Sequence, residues 1–148
     1  MTESRPSFLL VDGNNIIHAW PELRERHEEQ RGSAHAELIR ELREYGGWSG
    51  DRVVVVFDGR GVGVSEEPRE SGLQVFYTSD GRSADAVIEE LARRYAGIYD
   101  ITVATDDRLE QDVVVGAGGN AISSGGLRDR IDAGQRSRDE WLERRRSD

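Results

Sequence analysis

Four short apolar runs, Phe8–Val11, Val53–Phe57, Leu73–Tyr77 and Ile101–Ala104, do most to constrain how this chain can fold. They are continuous rather than alternating, and three are rich in β-branched or aromatic residues, as expected of strands buried on both faces of a parallel sheet. Between them lie stretches with helical spacing. Ala34–Tyr45 places Leu38, Ile39, Leu42 and Tyr45 at i, i+3/i+4 positions, and Ala84–Ala96 does the same with Ala84, Val87, Ile88, Leu91, Ala92 and Tyr95, behind Ser83 as an N-cap. Strands alternating with helices predict an α/β fold with a central parallel sheet and right-handed crossovers. A chain of 148 residues suits one core rather than two.

The later part of the chain reads less sharply. Asp106–Leu109 can begin a further short helix, Val113–Val115 is either a fifth strand or a buried helix end, and Gly125–Ile131 and Arg138–Arg146 both have helical character. After Gly134 come five arginines, at 136, 138, 144, 145 and 146. This stretch reads as a solvated tail, with an RNA- or ribosome-facing extension as the alternative. The expected organisation is a folded domain over 1–134 and an Arg-rich helical tail over 135–148.

Composition then removes whole classes of chemistry. The formal charge is −9, and all 20 basic side chains are arginine. Without lysine there is no Schiff base, no pyridoxal-phosphate anchor, no P-loop and no kinase ammonium. Without cysteine there is no disulfide, thiolate zinc site or thiol nucleophile. No signal peptide or membrane-length apolar run is present, so a cytoplasmic protein with no membrane partner is expected. The acidic balance argues against free diffusion along duplex DNA. It is compatible with a polyanionic substrate if carboxylates hold a divalent metal.

The positions of the acids point in that direction. Asp12 directly follows the first apolar run and Asp58 the second; Thr105, Asp106 and Asp107 follow the fourth, and Asp85 opens the helix after the third. In an open parallel sheet the carboxyl ends of the strands share one edge, where ligands bind. Clustered carboxylates repel one another, and a hard cation such as Mg²⁺ or Mn²⁺ relieves the repulsion and supports phosphoryl chemistry. The competing explanation for each Asp is an N-cap or a turn.

The motifs LLVDGNNIIHAWPEL (9–23), VVVVFDG (53–59), Ser-Ala-Asp (83–85) and VATDDRLEQ (103–111) occur in an order that resembles the YacP type of NYN-domain protein, within the PIN-like nuclease superfamily. The resemblance covers roughly residues 7–133. It implies a PIN-like, Rossmannoid three-layer fold and metal-dependent endonucleolytic cleavage of single-stranded RNA, in mRNA decay or ribosome-associated processing. It also implies Mg²⁺ or Mn²⁺ as cofactor and single-stranded RNA as partner, with the ribosome as a further candidate. Carried over by position, Asp12, Asp85 and Asp107 are the expected catalytic acids. Asp12, Asp85 and either Asp106 or Asp107 are the expected metal ligands. Asn14, Asn15, Asp58, Thr105, Glu110 and Gln111 are expected to support the site, and Arg60 and Arg82 to offer phosphate donors on flanking loops. The alternative is a non-catalytic RNA- or ribosome-binding module of the same fold.

Other signals are weaker. Gly116–Ala121 fits the dinucleotide pattern G-x-G-x-x-A, but only 27 residues follow it, so a tight loop feeding a short edge strand at Asn120–Ser123 is the better reading. His18 is a candidate cleft residue, whereas His27 and His35 read as surface side chains. Trp20 and Pro21 read as packing and a helix start, with a base-stacking role for Trp20 as the alternative.

Overall fold

The structure, a computed structural model, describes residues 5–59, 72–79 and 81–146. The elements run β1 (Ser7–Asp12), α1 (Gly13–Ala19), α2 (Pro21–Glu29), α3 (Arg31–Ser49), β2 (Arg52–Phe57), β3 (Leu73–Tyr77), α4 (Ala84–Tyr95), β4 (Asp100–Ala104), α5 (Arg108–Gly116), β5 (Asn120–Ile122) and α6 (Ser124–Arg146). The five strands form one sheet in the order β3-β2-β1-β4-β5, and every pairing is parallel. All four apolar runs are strands, and the expected edge strand is β5. Val113–Val115 is the end of a helix, so the dinucleotide pattern has no preceding strand.

The pleat divides the strand residues between two cores, which is why the runs are apolar throughout. Leu9, Val11, Val53, Val55, Phe57, Leu73 and Val75 pack with Ile16, Ile17, Leu23, Leu38, Leu42, Leu127 and Ile131 from α1, α2, α3 and α6. Leu10, Val54, Val56, Ile101 and Val103 pack on the other face with Ala84, Ile88, Ala92 and Val114 from α4 and α5. The result is three layers. Helix α3 ends at Gly50, whose φ of +80° is the left-handed conformation that glycine adopts at little cost.

Some sequence expectations are corrected. The two expected C-terminal helices are one unbroken helix, α6, which passes through Gly134. Tyr45 and Trp48 of α3 lie against that glycine, and Trp141 meets Trp48 edge to face at 6.2 Å, so tertiary packing offsets the poor helix propensity of glycine. Likewise His27 and His35 are not plain surface residues. Both are half-buried in a row of rings that leads from exposed His18 to Phe57, with His35 stacked on Phe57 at 4.3 Å. Trp20 is a packing residue: it is buried, its Nε1 donates to the Ser124 carbonyl at 3.2 Å, and the Arg128 guanidinium lies 3.9 Å above its ring.

Candidate active site

The strand order reverses between β1 and β4. The chain leaving β1 enters α1 on one face of the sheet, while the chain leaving β4 enters α5 on the other. Such a switch point opens a crevice at the carboxyl ends of the strands. Asp12 stands on one side of it and Thr105, Asp106 and Asp107 on the other.

The turn after β1 is tightly built. Asp12 is the N-cap of α1 and accepts from the Asn15 N–H at 3.4 Å. Gly13 follows because a Cβ there would come within 2.4 Å of the Phe57 ring. Asn14 and Asn15 tie this turn to both neighbouring strands: Asn14 Oδ1 accepts the Asp58 N–H at 2.8 Å, and Asn15 Oδ1 accepts the Asp106 N–H at 2.8 Å. The amide pair thus holds the ends of β1, β2 and β4 in register across the crevice.

Beneath this turn is the most unusual electrostatic feature of the molecule. Asp12 is 6% exposed and Glu110, in the first turn of α5, only 1%. Their carboxyls are in hydrogen-bonding contact, which two ionised carboxylates cannot make without a proton or a cation between them. Burial, followed by the charge of Asp12, pushes Glu110 up to about 9. Asp12 is also raised, chiefly by burial, with further contributions from Asp58 and Asp85. Thr105 Oγ1 donates to Glu110 Oε2 at 2.9 Å, whereas among the described residues Glu110 Oε1 has no N–H or O–H donor. That oxygen is the one left to share a proton with Asp12.

The remaining acids are engaged differently. Asp58 Oδ1 accepts the Ala84 N–H at 2.7 Å and so anchors the start of α4, where Asp85 is half-buried in the first turn. Asp107 is the N-cap of α5, accepting from Leu109 and Glu110. Asp106 uses both carboxylate oxygens on Ser124, its N–H and its hydroxyl each at 2.7 Å, and so holds the start of α6. Gln111 Nε2 donates to the Thr105 carbonyl at 2.7 Å. Arg82 pairs with Glu90 at 2.7 Å along α4, and Arg60 lies outside the described residues. Sequence reasoning placed Glu110 among the supporting residues. Its central place follows from the turn of helix that carries it back from Asp107 beneath Asp12.

Among the described residues, no three His, Cys, Asp or Glu side chains lie close enough together to form a metal cage. The donors at the crevice nevertheless suit a hard cation. They are carboxylate oxygens, and Mg²⁺ is commonly held by one or two carboxylates with water and substrate phosphate completing its shell.

An α/β sheet with carboxylates at its switch point is the architecture of a Rossmannoid, acid-rimmed domain. The family is equally definite: the YacP-like NYN domain profile matches residues 9–148, and the chain belongs to that family. It is 38% identical over 113 residues to the uncharacterized protein YacP of Bacillus subtilis, covering 75% of this chain and 66%, just under two thirds, of that protein. Crystal structures of Rae1 (YacP) from Bacillus subtilis and of its W164L mutant both superpose with a TM-score of 0.79. They are 33% and 32% identical to the chain, cover 95% of it, and are themselves covered to 82% and 84%. Membership is consistent with a nuclease or RNA-related role. Among the described residues no helix is long and apolar enough to cross a membrane.

Proposed function

We propose that this chain is a divalent-cation-dependent endoribonuclease that hydrolyses phosphodiester bonds in single-stranded RNA, with Mg²⁺ or Mn²⁺ as cofactor. The observation that carries the proposal is the buried Asp12–Glu110 carboxyl pair at the switch point of the sheet. Asp12 and Asp85 would hold the cation from the crevice side, with Asp58 adding negative charge close by. Both capping bonds of Asp107 go to Oδ1, so its Oδ2 takes no part in the cap. When bound, the cation supplies the positive charge that an acidic rim lacks toward phosphate, and Lewis acidity toward a phosphate oxygen and water. Asn14 and Asn15 fix the floor of the crevice, and Thr105 and Gln111 brace the corner of β4 against α5.

A second reading, a non-catalytic RNA- or ribosome-binding module, draws on a different observation: Asp58, Asp106 and Asp107 each already cap a helix. Incubation of wild type and Asp12→Asn with single-stranded RNA in Mn²⁺ separates the two. Cleavage by wild type alone supports the nuclease, and RNA binding without cleavage supports the module.

A further inference from the structure

Thr105 and Glu110 are both almost wholly inaccessible, and neither is needed to cap a helix. Every polar group of Thr105 is committed. Its N–H donates to the Ile122 carbonyl at 3.0 Å, its carbonyl accepts from Gln111 Nε2, and its hydroxyl donates to Glu110 Oε2 while accepting the Asp107 N–H at 3.1 Å. The hydroxyl is therefore fixed in direction, and with it one oxygen of Glu110. The other Glu110 oxygen has no donor among the described residues, and the carboxyl as a whole lies against that of Asp12. Because Glu110 is more deeply buried than Asp12, and Asp85 is only half-buried, an ion or phosphate arriving from solvent meets Asp12 and Asp85 first.

We propose that Glu110 is a positioning residue: clasped by the Thr105 hydroxyl, its carboxyl fixes the direction in which Asp12 faces the crevice. Asp106 and Asp107, the acids nearest in sequence to that corner, are occupied with Ser124 and with the first turn of α5. What Asp12 is held toward, a divalent cation, rests on the nuclease reading; that Asp12 is held by Glu110 does not. Groups that orient a metal ligand from behind typically change metal affinity by about 10–100-fold when removed.

The test uses the full chain and two readouts. In the first, Mn²⁺ affinity is measured by electron paramagnetic resonance for wild type, Glu110→Gln, Glu110→Ala, Thr105→Val and Thr105→Ser. Glutamine retains the shape, an acceptor toward Thr105 and a donor toward Asp12. The expected result is a loss of about 10–100-fold for Glu110→Ala and Thr105→Val, with Glu110→Gln and Thr105→Ser within about threefold of wild type. A Glu110→Gln loss as large as that of Glu110→Ala would make Glu110 a direct ligand, and undiminished affinity in Glu110→Ala would leave it no role; either overturns the proposal. Should Glu110→Ala fail to fold, the Thr105→Val and Thr105→Ser pair carries the same comparison.

The second readout is the side-chain carboxyl ¹³C resonance of Asp12 in metal-free protein. A single fixed environment is expected in wild type and Glu110→Gln, and an averaged one in Glu110→Ala and Thr105→Val. An unchanged resonance in both of the latter overturns the proposal. If wild type binds no Mn²⁺ at all, the nuclease reading fails, and this second readout still decides the role of Glu110.

Discussion

Asp12 and Asp106 lie at the same rim of the sheet, at the ends of paired strands, and both follow an apolar run in the sequence. Their surroundings differ completely. Asp12 is buried, so its charge is opposed by desolvation and by Asp58 and Asp85, and only partly offset by the hydrogen bonds it accepts from Glu110 and Asn15. Asp106 is exposed and satisfied by two hydrogen bonds from Ser124. An acid whose charge is poorly accommodated is a candidate for chemistry, because a cation lowers its energy; an acid already satisfied is part of the frame. The difference comes from what the chain places opposite each carboxylate.

The widest contrast is expected in activity. Asp12→Asn retains an N-cap for α1 and should fold, yet lose Mn²⁺-dependent RNA cleavage by roughly 100-fold or more. Asp106→Ala should leave Mn²⁺ affinity near wild type while lowering stability by about 0.5–2 kcal/mol, read by denaturant titration. Equal effects of the two substitutions on metal binding would erase the distinction.

Next in size is the scaffold beneath Asp12. Gly13→Ala drives a methyl into the Phe57 ring and should cost about 1–3 kcal/mol in the same titration, with Mn²⁺ affinity weakened because the α1 turn must shift. A neutral Gly13→Ala would mean that the turn is loosely held.

A smaller, pH-dependent effect belongs to the buried pair on the Asp12 side. Glu110 is raised from 4.5 to about 9, and Asp12 is raised as well. The folded state therefore binds these protons more tightly than the unfolded chain does. The contribution of Glu110 is complete below pH 4.5 and is lost as pH rises through about 9. Metal-free protein should show a melting temperature that declines over this window, and Glu110→Gln should flatten the decline. The smallest effect is expected at Arg82, an exposed partner of Glu90: Arg82→Ala should change stability by only about 0–1 kcal/mol. A several-fold rise in KM for RNA would give that arginine the phosphate-binding role its loop position suggests.

The fold was largely legible because its strands are unambiguous. Val53–Phe57 has no polar face, so only a sheet covered on both sides accommodates it, and Ser83 marks the start of α4 as a cap should. Sequence spacing divides the C-terminal helix around Gly134, since propensity carries no information about Tyr45 and Trp48 on α3. His27 and His35 read as surface side chains for the same reason: their immediate neighbours in sequence are polar, but α2 and α3 bring their rings toward Phe57. At the site, the strand-end acids could be located from sequence. Which of them are caps could not, because capping depends on the partner N–H: Ala84 for Asp58, Ser124 for Asp106. The signal for Glu110 is its place in the motif VATDDRLEQ; its spacing three residues after Asp107 puts it on the first turn of α5, facing back toward Thr105.

The most direct test is a crystal structure grown in Mn²⁺, with anomalous diffraction used to locate the ion. The account predicts a peak at the crevice bonded to Asp12, with Asp106 still held by Ser124. A peak bonded to Asp106 with Asp12 unliganded, or no peak at the crevice at millimolar Mn²⁺, would contradict it.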